Sequence, residues 1–176
     1  MKHSFVLEIF ARYLILVLVA FQSLWIFYFV FTPLTVYPVS FLLNIFFDAS
    51  LLTNTIILIN QTLPIEIIEA CVAGSAYYFL LILNLTTPNI KIKKRINMIL
   101  FSFAAFLVIN IIRIFFLSIL AISGSSFFNI THILFWYALS TLFVVGIWFT
   151  QVKLFRIKHI PIYSDIKMLY TSTKKK

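Results

Sequence analysis

Four long apolar runs dominate the chain, each ending near a proline or a polar boundary. Residues 13–32 read YLILVLVAFQSLWIFYFVFT and stop at Pro33. Residues 67–86 read IIEACVAGSAYYFLLILNLT and stop near Pro88. Residues 97–119 and 130–150 form the third and fourth runs. A helix needs about 20 mostly apolar residues to cross a bilayer core. The pattern therefore predicts an all-α integral membrane protein with about four transmembrane helices. Residues 34–47 are apolar but short and contain Pro38, which predicts an interfacial or re-entrant helix on the outer side. Residues 53–67, TNTIILINQTLPIEI, mix β-branched alternation with polar breaks. They predict an extended segment or an irregular loop at the membrane surface.

Composition agrees with this reading. The chain is 62% hydrophobic and only 11% charged, against about 25% charged in a soluble domain. Its 176 residues predict one polytopic membrane domain, 1–176, with no separate soluble unit. The first run is too long for a signal-peptide core and lacks a clear small-residue cleavage site, so it is expected to stay as a span.

The net charge of +9 raises the question of nucleic acid. The placement of the charges answers it in favour of a membrane. Lys2 and Arg12 precede the first run, and Lys91, Lys93, Lys94 and Arg95 lie between the second and third. Lys153, Arg156, Lys158, Lys167, Lys174, Lys175 and Lys176 follow the fourth, forming a basic tail over 153–176. With four spans and both termini inside, all of these fall on one side, which the positive-inside rule makes cytoplasmic. Asp48, Glu66 and Glu69 fall on the other side.

The remaining basic residue is Arg113, inside the third run. An arginine in hydrocarbon costs a few kcal/mol or more and marks function or snorkelling. The four-span topology puts three residues at one depth near the outer face. Cys71 lies near the start of the second span, Arg113 near the end of the third, and His132 near the start of the fourth. A thiolate is the nucleophilic form of cysteine and is favoured beside a cation or at a helix N-terminus. Histidine moves protons near neutral pH, and arginine holds an oxyanion or a carbonyl. Together the three suffice for acyl transfer through a thioester. One cysteine builds neither an internal disulfide nor a cysteine-rich metal site, so no metal and no cofactor is expected.

Neighbouring residues admit two readings each. Asn110 shares a helix face with Arg113 and either supports the site or joins helices by hydrogen bonding. Gly74 and Ser75 either allow close helix packing or let a substrate approach Cys71. Glu66 and Glu69 either orient the histidine or arginine or are interfacial carboxylates. Asn60-Gln61-Thr62 and Asn129-Ile130-Thr131 match the short glycosylation pattern on the outer side.

Three blocks resemble the exosortase/archaeosortase family of membrane-embedded cysteine transpeptidases. They are Glu69-Ala70-Cys71-Val72-Ala73-Gly74-Ser75, Asn110-Ile111-Ile112-Arg113-Ile114, and His132 opening the last span. The resemblance covers about residues 55–150, the implied catalytic core, and its compact size is most similar to archaeosortase-type members. Many members place glycine two residues after the cysteine; this chain has Ala73 there and Gly74 next. The resemblance implies Cys71 as nucleophile, His132 as acid/base, and Arg113 as oxyanion or substrate holder. It implies substrates that are secreted proteins carrying a C-terminal motif, a transmembrane helix and a basic tail. These would be cut at the outer face and passed to an amine acceptor, with a lipid amine as one candidate. Two other readings stand beside it: a non-enzymatic channel, transporter or assembly subunit, and a purely hydrolytic membrane cysteine protease.

Overall fold

The computed structural model describes residues 2–21, 24–135, 138 and 140–157, with side chains from residue 7 onward in the first helix. Residues 158–176, most of the basic tail, lie outside the described residues. The chain is mostly helical: α1 (Lys2–Phe21), α2 (Trp25–Phe46), α3 (Glu69–Val72), α4 (Gly74–Leu85), α5 (Ile92–Ile122), α6 (Phe128–Leu134) and α7 (Ser140–Leu154). Between α2 and α3 lie three short strands, β1 (Ala49–Leu51), β2 (Ile56–Ile59) and β3 (Leu63–Glu66). They form an antiparallel sheet in the order β1-β2-β3. The all-α expectation therefore needs this correction: within residues 53–67, Ile56–Ile59 and Leu63–Glu66 are extended, as their alternation implied, and they pair across a turn at 60–62. Ile57 and Ile59 point to the core at 0% and 1% exposure, while Leu63, Pro64 and Glu66 are exposed.

A second correction concerns Pro33. It does not end a span. The first break falls at Leu24, in the left-handed region (φ 61°), and α2 then runs unbroken through Pro33 and Pro38. A proline costs a helix one backbone hydrogen bond, and packing against neighbouring helices offsets that loss. Here Phe27, Phe31, Val36, Val39 and Leu43 of α2 are buried, so residues 34–46 belong to a long helix, capped by the extended Phe47, and not to a separate re-entrant one.

Two helices, Trp25–Phe46 and Ile92–Ile122, are long and apolar enough to cross a membrane; Glu69–Leu85 and Ser140–Leu154 are shorter apolar stretches. The helices pack around α5, whose buried stripe runs Met98, Ser102, Phe106, Asn110, Arg113 and Leu117. The spacing of three or four residues keeps these side chains on one face. Tyr77 of α4 fills the middle. It stacks on Phe31 with centroids 3.7 Å apart and meets Phe103 and Phe106 edge-on. The outward faces carry large exposed apolar side chains, among them Phe10, Phe29, Phe41, Leu100, Phe116 and Phe149.

Contacts fix the direction of each helix. At one end, Arg95 of α5 donates from Nη1 to the carbonyls of Asn84 and Leu85, each at 2.8 Å. Arg12 of α1 adds bonds to the carbonyls of Leu85 and Thr87. Two guanidinium groups thus satisfy carbonyls at the C-terminal end of α4, where the helix dipole is negative. Gln151 of α7 lies near this end, bonded to the Asn84 side chain (2.8 Å) and the Met98 carbonyl (2.6 Å). At the other end, α5 meets α3 and α7 through Asn110 and Arg113. So α4 and α7 run antiparallel to α5. α2 runs parallel to it, with Phe27 beside Phe103 and Phe46 beside Phe115. Among the described lysine and arginine side chains, Arg113 is alone in lying at the sheet end; Asp48, Glu66 and Glu69 lie there with it.

Candidate active site

The segment bearing Cys71 is a single helical turn. α3 begins at Glu69 after the extended Ile68 and ends at Val72, because Ala73 turns left-handed (φ 60°, ψ 48°). The conformation is one that glycine adopts freely and that alanine adopts at a cost. The αL residue breaks what the sequence presents as one continuous span. It also leaves the carbonyls of Cys71 and Val72 without a regular helical partner.

Asn110 and Arg113 take up those carbonyls. Asn110 Nδ2 donates to Cys71 O at 3.0 Å and to Val72 O at 3.3 Å. Arg113 Nη2 donates to Cys71 O at 2.9 Å, and its Nη1 donates to Ser140 Oγ at 2.9 Å. Ser140 in turn donates to the carbonyl of Phe135 at 2.7 Å. Asn110 is 1% exposed and Arg113 is 7% exposed. The two residues, three apart on α5, clamp the turn that carries Cys71 and tie it to the start of α7. Arg113 Nε is buried without a hydrogen-bond partner.

Cys71, Arg113 and His132 line one small pocket with Ala70, Leu117 and Phe135. The free space among them is about 10 Å³, room for about one water molecule. Cys71 is a free, half-buried thiol. His132 comes from α6 and stacks on Phe128 with centroids 5.7 Å apart, which fixes the plane of its ring. The three residues thus arrive from three separate elements, α3, α5 and α6.

The other sequence candidates divide. Asn110 belongs to the clamp. Glu69 and Ser75 lie next door, lining a mixed polar and apolar groove with Tyr28, Ser140 and Thr141; Ala70 borders both spaces. Gly74 is a packing residue, since a Cβ there would meet the Tyr28 ring at 2.8 Å. Ser140 is a site residue that the sequence did not single out. Nothing but its position ten residues before Thr150 in a long apolar run marks it. Among the described residues no cluster of His, Cys, Asp or Glu is arranged to hold a metal ion. No family model, curated protein or solved structure matches the chain.

Proposed function

We propose that this protein is a membrane-embedded cysteine transpeptidase of the exosortase/archaeosortase type. The observation that carries the reading is the meeting of Cys71, Arg113 and His132 in one pocket, at the end away from the other described basic side chains. In this reading the chain crosses the bilayer four times. The α1–α2 pair makes the first pass, α3–α4 the second, α5 the third and α6–α7 the fourth. The Arg12–Arg95 end faces the cytoplasm, and the sheet and the pocket face outward. Exposed apolar side chains on α1, α2, α5 and α7 would face lipid.

The chemistry follows from the three side chains. His132 takes the Cys71 proton, and the thiolate attacks the carbonyl carbon of a peptide bond in a secreted protein's C-terminal signal. Collapse of the tetrahedral adduct breaks the C–N bond, and His132 returns the proton to the leaving amine. A thioester now joins Cys71 to the new C-terminus. An amine acceptor then attacks it, His132 takes the proton of that amine, the C–S bond breaks, and Cys71 leaves as the thiolate. Arg113 keeps the turn in place and supplies a buried positive charge beside the developing oxyanion. Hydrolysis of the same thioester is the second reading, since the thioester is common to both.

Mass spectrometry of C-termini, comparing membrane proteins from wild-type and Cys71→Ala cells, tests the proposal. Tail-bearing precursors should accumulate in the variant while the protein itself still inserts. Mature C-termini carrying an added amine group indicate transfer, and bare carboxylates indicate hydrolysis. Unchanged C-termini in the variant would remove the enzyme reading and leave Arg113 as a structural clamp.

A further inference from the structure

We infer that the free edge of β3 binds an extended polypeptide by strand addition and hands it to Cys71. The inference rests on Cys71 acting as the nucleophile. It begins with the register of the sheet. Ile67 N–H donates to the Thr55 carbonyl at 2.8 Å, which makes Thr55 and Ile67 a hydrogen-bonded pair. Alternation along antiparallel strands then makes Ile57–Ile65 and Ile59–Leu63 bonded pairs as well. On the other side of β2, Asn60 N–H donates to Asp48 O and Leu52 N–H to Ile56 O. Ser50–Leu58 is therefore the bonded pair of β1 and β2, and the two assignments agree. β3 consequently turns the backbone groups of Pro64 and Glu66 away from β2, toward open space.

The two edges of the sheet are not alike. β1 is capped at Ala49, which is buried at 8% exposure with its N–H held by Asn44 Oδ1 of α2, and its outward edge is left open at the exposed Leu51 alone. On β3, Pro64 and Glu66 are exposed. Pro64 has no N–H, so its position offers a carbonyl alone. Glu66 offers both N–H and C=O, the pair that an added strand needs. The full donor–acceptor pair thus lies at the end of β3 nearest the site. The proline and the charge keep the edge short, which limits indiscriminate pairing with other chains.

An extended main chain matches these groups by alternating N–H and C=O at strand spacing, a match a lipid headgroup does not make. Glu66 precedes Cys71 by five residues, and β3 passes through Ile67 and Ile68 straight into α3. A segment paired opposite Glu66 is therefore held within a few residues' reach of the thiol, at about 3.3 Å per residue. The occupant is the extended stretch of a secreted protein just before its membrane helix. Its main chain supplies the affinity, and side chains on alternate positions supply the selectivity.

The test uses, as an epitope-tagged probe, the precursor that accumulates in Cys71→Ala cells. Glu66→Pro removes the outward N–H, and proline is tolerated on an edge strand. An amide-to-ester replacement at position 66 removes the same N–H without changing the side chain, and Glu66→Gln keeps the N–H and removes the charge. The first two should slow processing about tenfold, the cost of one lost hydrogen bond that strands its acceptor. Glu66→Gln should lose less processing than either N–H-deleted variant, and all three should show wild-type alkylation of Cys71, which reports an intact site. Wild-type processing by the ester variant overturns the inference, as does a Glu66→Gln defect equal to that of the ester. Processing lost in Cys71→Ala but kept in both N–H-deleted variants sinks the edge alone. Processing kept in Cys71→Ala sinks the nucleophile and the edge together.

Discussion

Arg113 reaches Cys71 through the backbone, not through the thiol: its Nη2 holds the Cys71 carbonyl at 2.9 Å while its Nη1 holds Ser140 Oγ at the same distance. One planar fork therefore joins α3, α5 and α7. This answers how an arginine is accommodated inside an apolar helix. Two acceptors, the Cys71 carbonyl and Ser140 Oγ, converge on it, and it is more than nine-tenths buried.

Lysine cannot span both acceptors, because its ammonium is a point charge on a flexible stem. Arg113→Lys should therefore lower processing about a hundredfold, the scale of a misplacement of about 1 Å at a reacting centre. Pulse-chase of the precursor measures it. Ser140→Ala should give a smaller loss, and the double variant should be no worse than Arg113→Lys alone, because both changes cut the same connection. Additive losses would show that Ser140 acts on something other than Arg113.

Ala73 holds a left-handed conformation at φ 60°, which costs a residue with a Cβ about 1–2 kcal/mol. Ala73→Gly should stabilise the protein by about 1 kcal/mol on that account, and Ala73→Val should destabilise it by at least as much. Equilibrium unfolding in mixed detergent would read both. A loss of stability in the glycine variant would mean that the helix break at this position is not strained.

The Gln151 network lies at the far end of the bundle. Gln151→Leu leaves the buried Asn84 side-chain oxygen without its donor and should cost about 1–3 kcal/mol of stability. Processing per folded molecule should not change. A fall in specific activity without unfolding would link that end of the bundle to the site.

Cys71 is the single cysteine of the chain, so thiol labelling reports one position. A charged, membrane-impermeant thiol reagent added to intact cells should modify it, and Cys71→Ala should abolish the signal. Labelling that appears only after permeabilisation would invert the orientation and place the sheet inside.

The meeting of Cys71, Arg113 and His132 was legible from the sequence because it depends on the order and direction of long apolar runs, and such runs are a robust signal. The buried stripe of α5 was legible for the same reason. Local geometry was not. Pro33 read as a stop, yet contacts along α2 override a single missing hydrogen bond. Residues 53–67 showed β alternation, but pairing depends on turn geometry at Asn60 and Gln61, both at positive φ. The role of Arg113 was half visible: its charge marked the site, but its acceptors are a carbonyl and a serine hydroxyl, which no side-chain pattern announces. The break at Ala73 was hidden because alanine is the best helix former.

One helix grips the α3–α4 segment at both ends. Arg95 holds its C-terminal carbonyls, and Asn110 and Arg113 hold the turn that carries Cys71. All three belong to α5, so the helix acts as a ruler. From residue 95 to residue 113 it measures about 27 Å at 1.5 Å per residue, close to the roughly 30 Å of a bilayer core. The distance of the thiol from the Arg95 end of the bundle is thereby set by the count of residues along a neighbouring helix. Removing one residue between Arg95 and Asn110 would shorten that gauge by about 1.5 Å and turn its two grips out of register by about 100°.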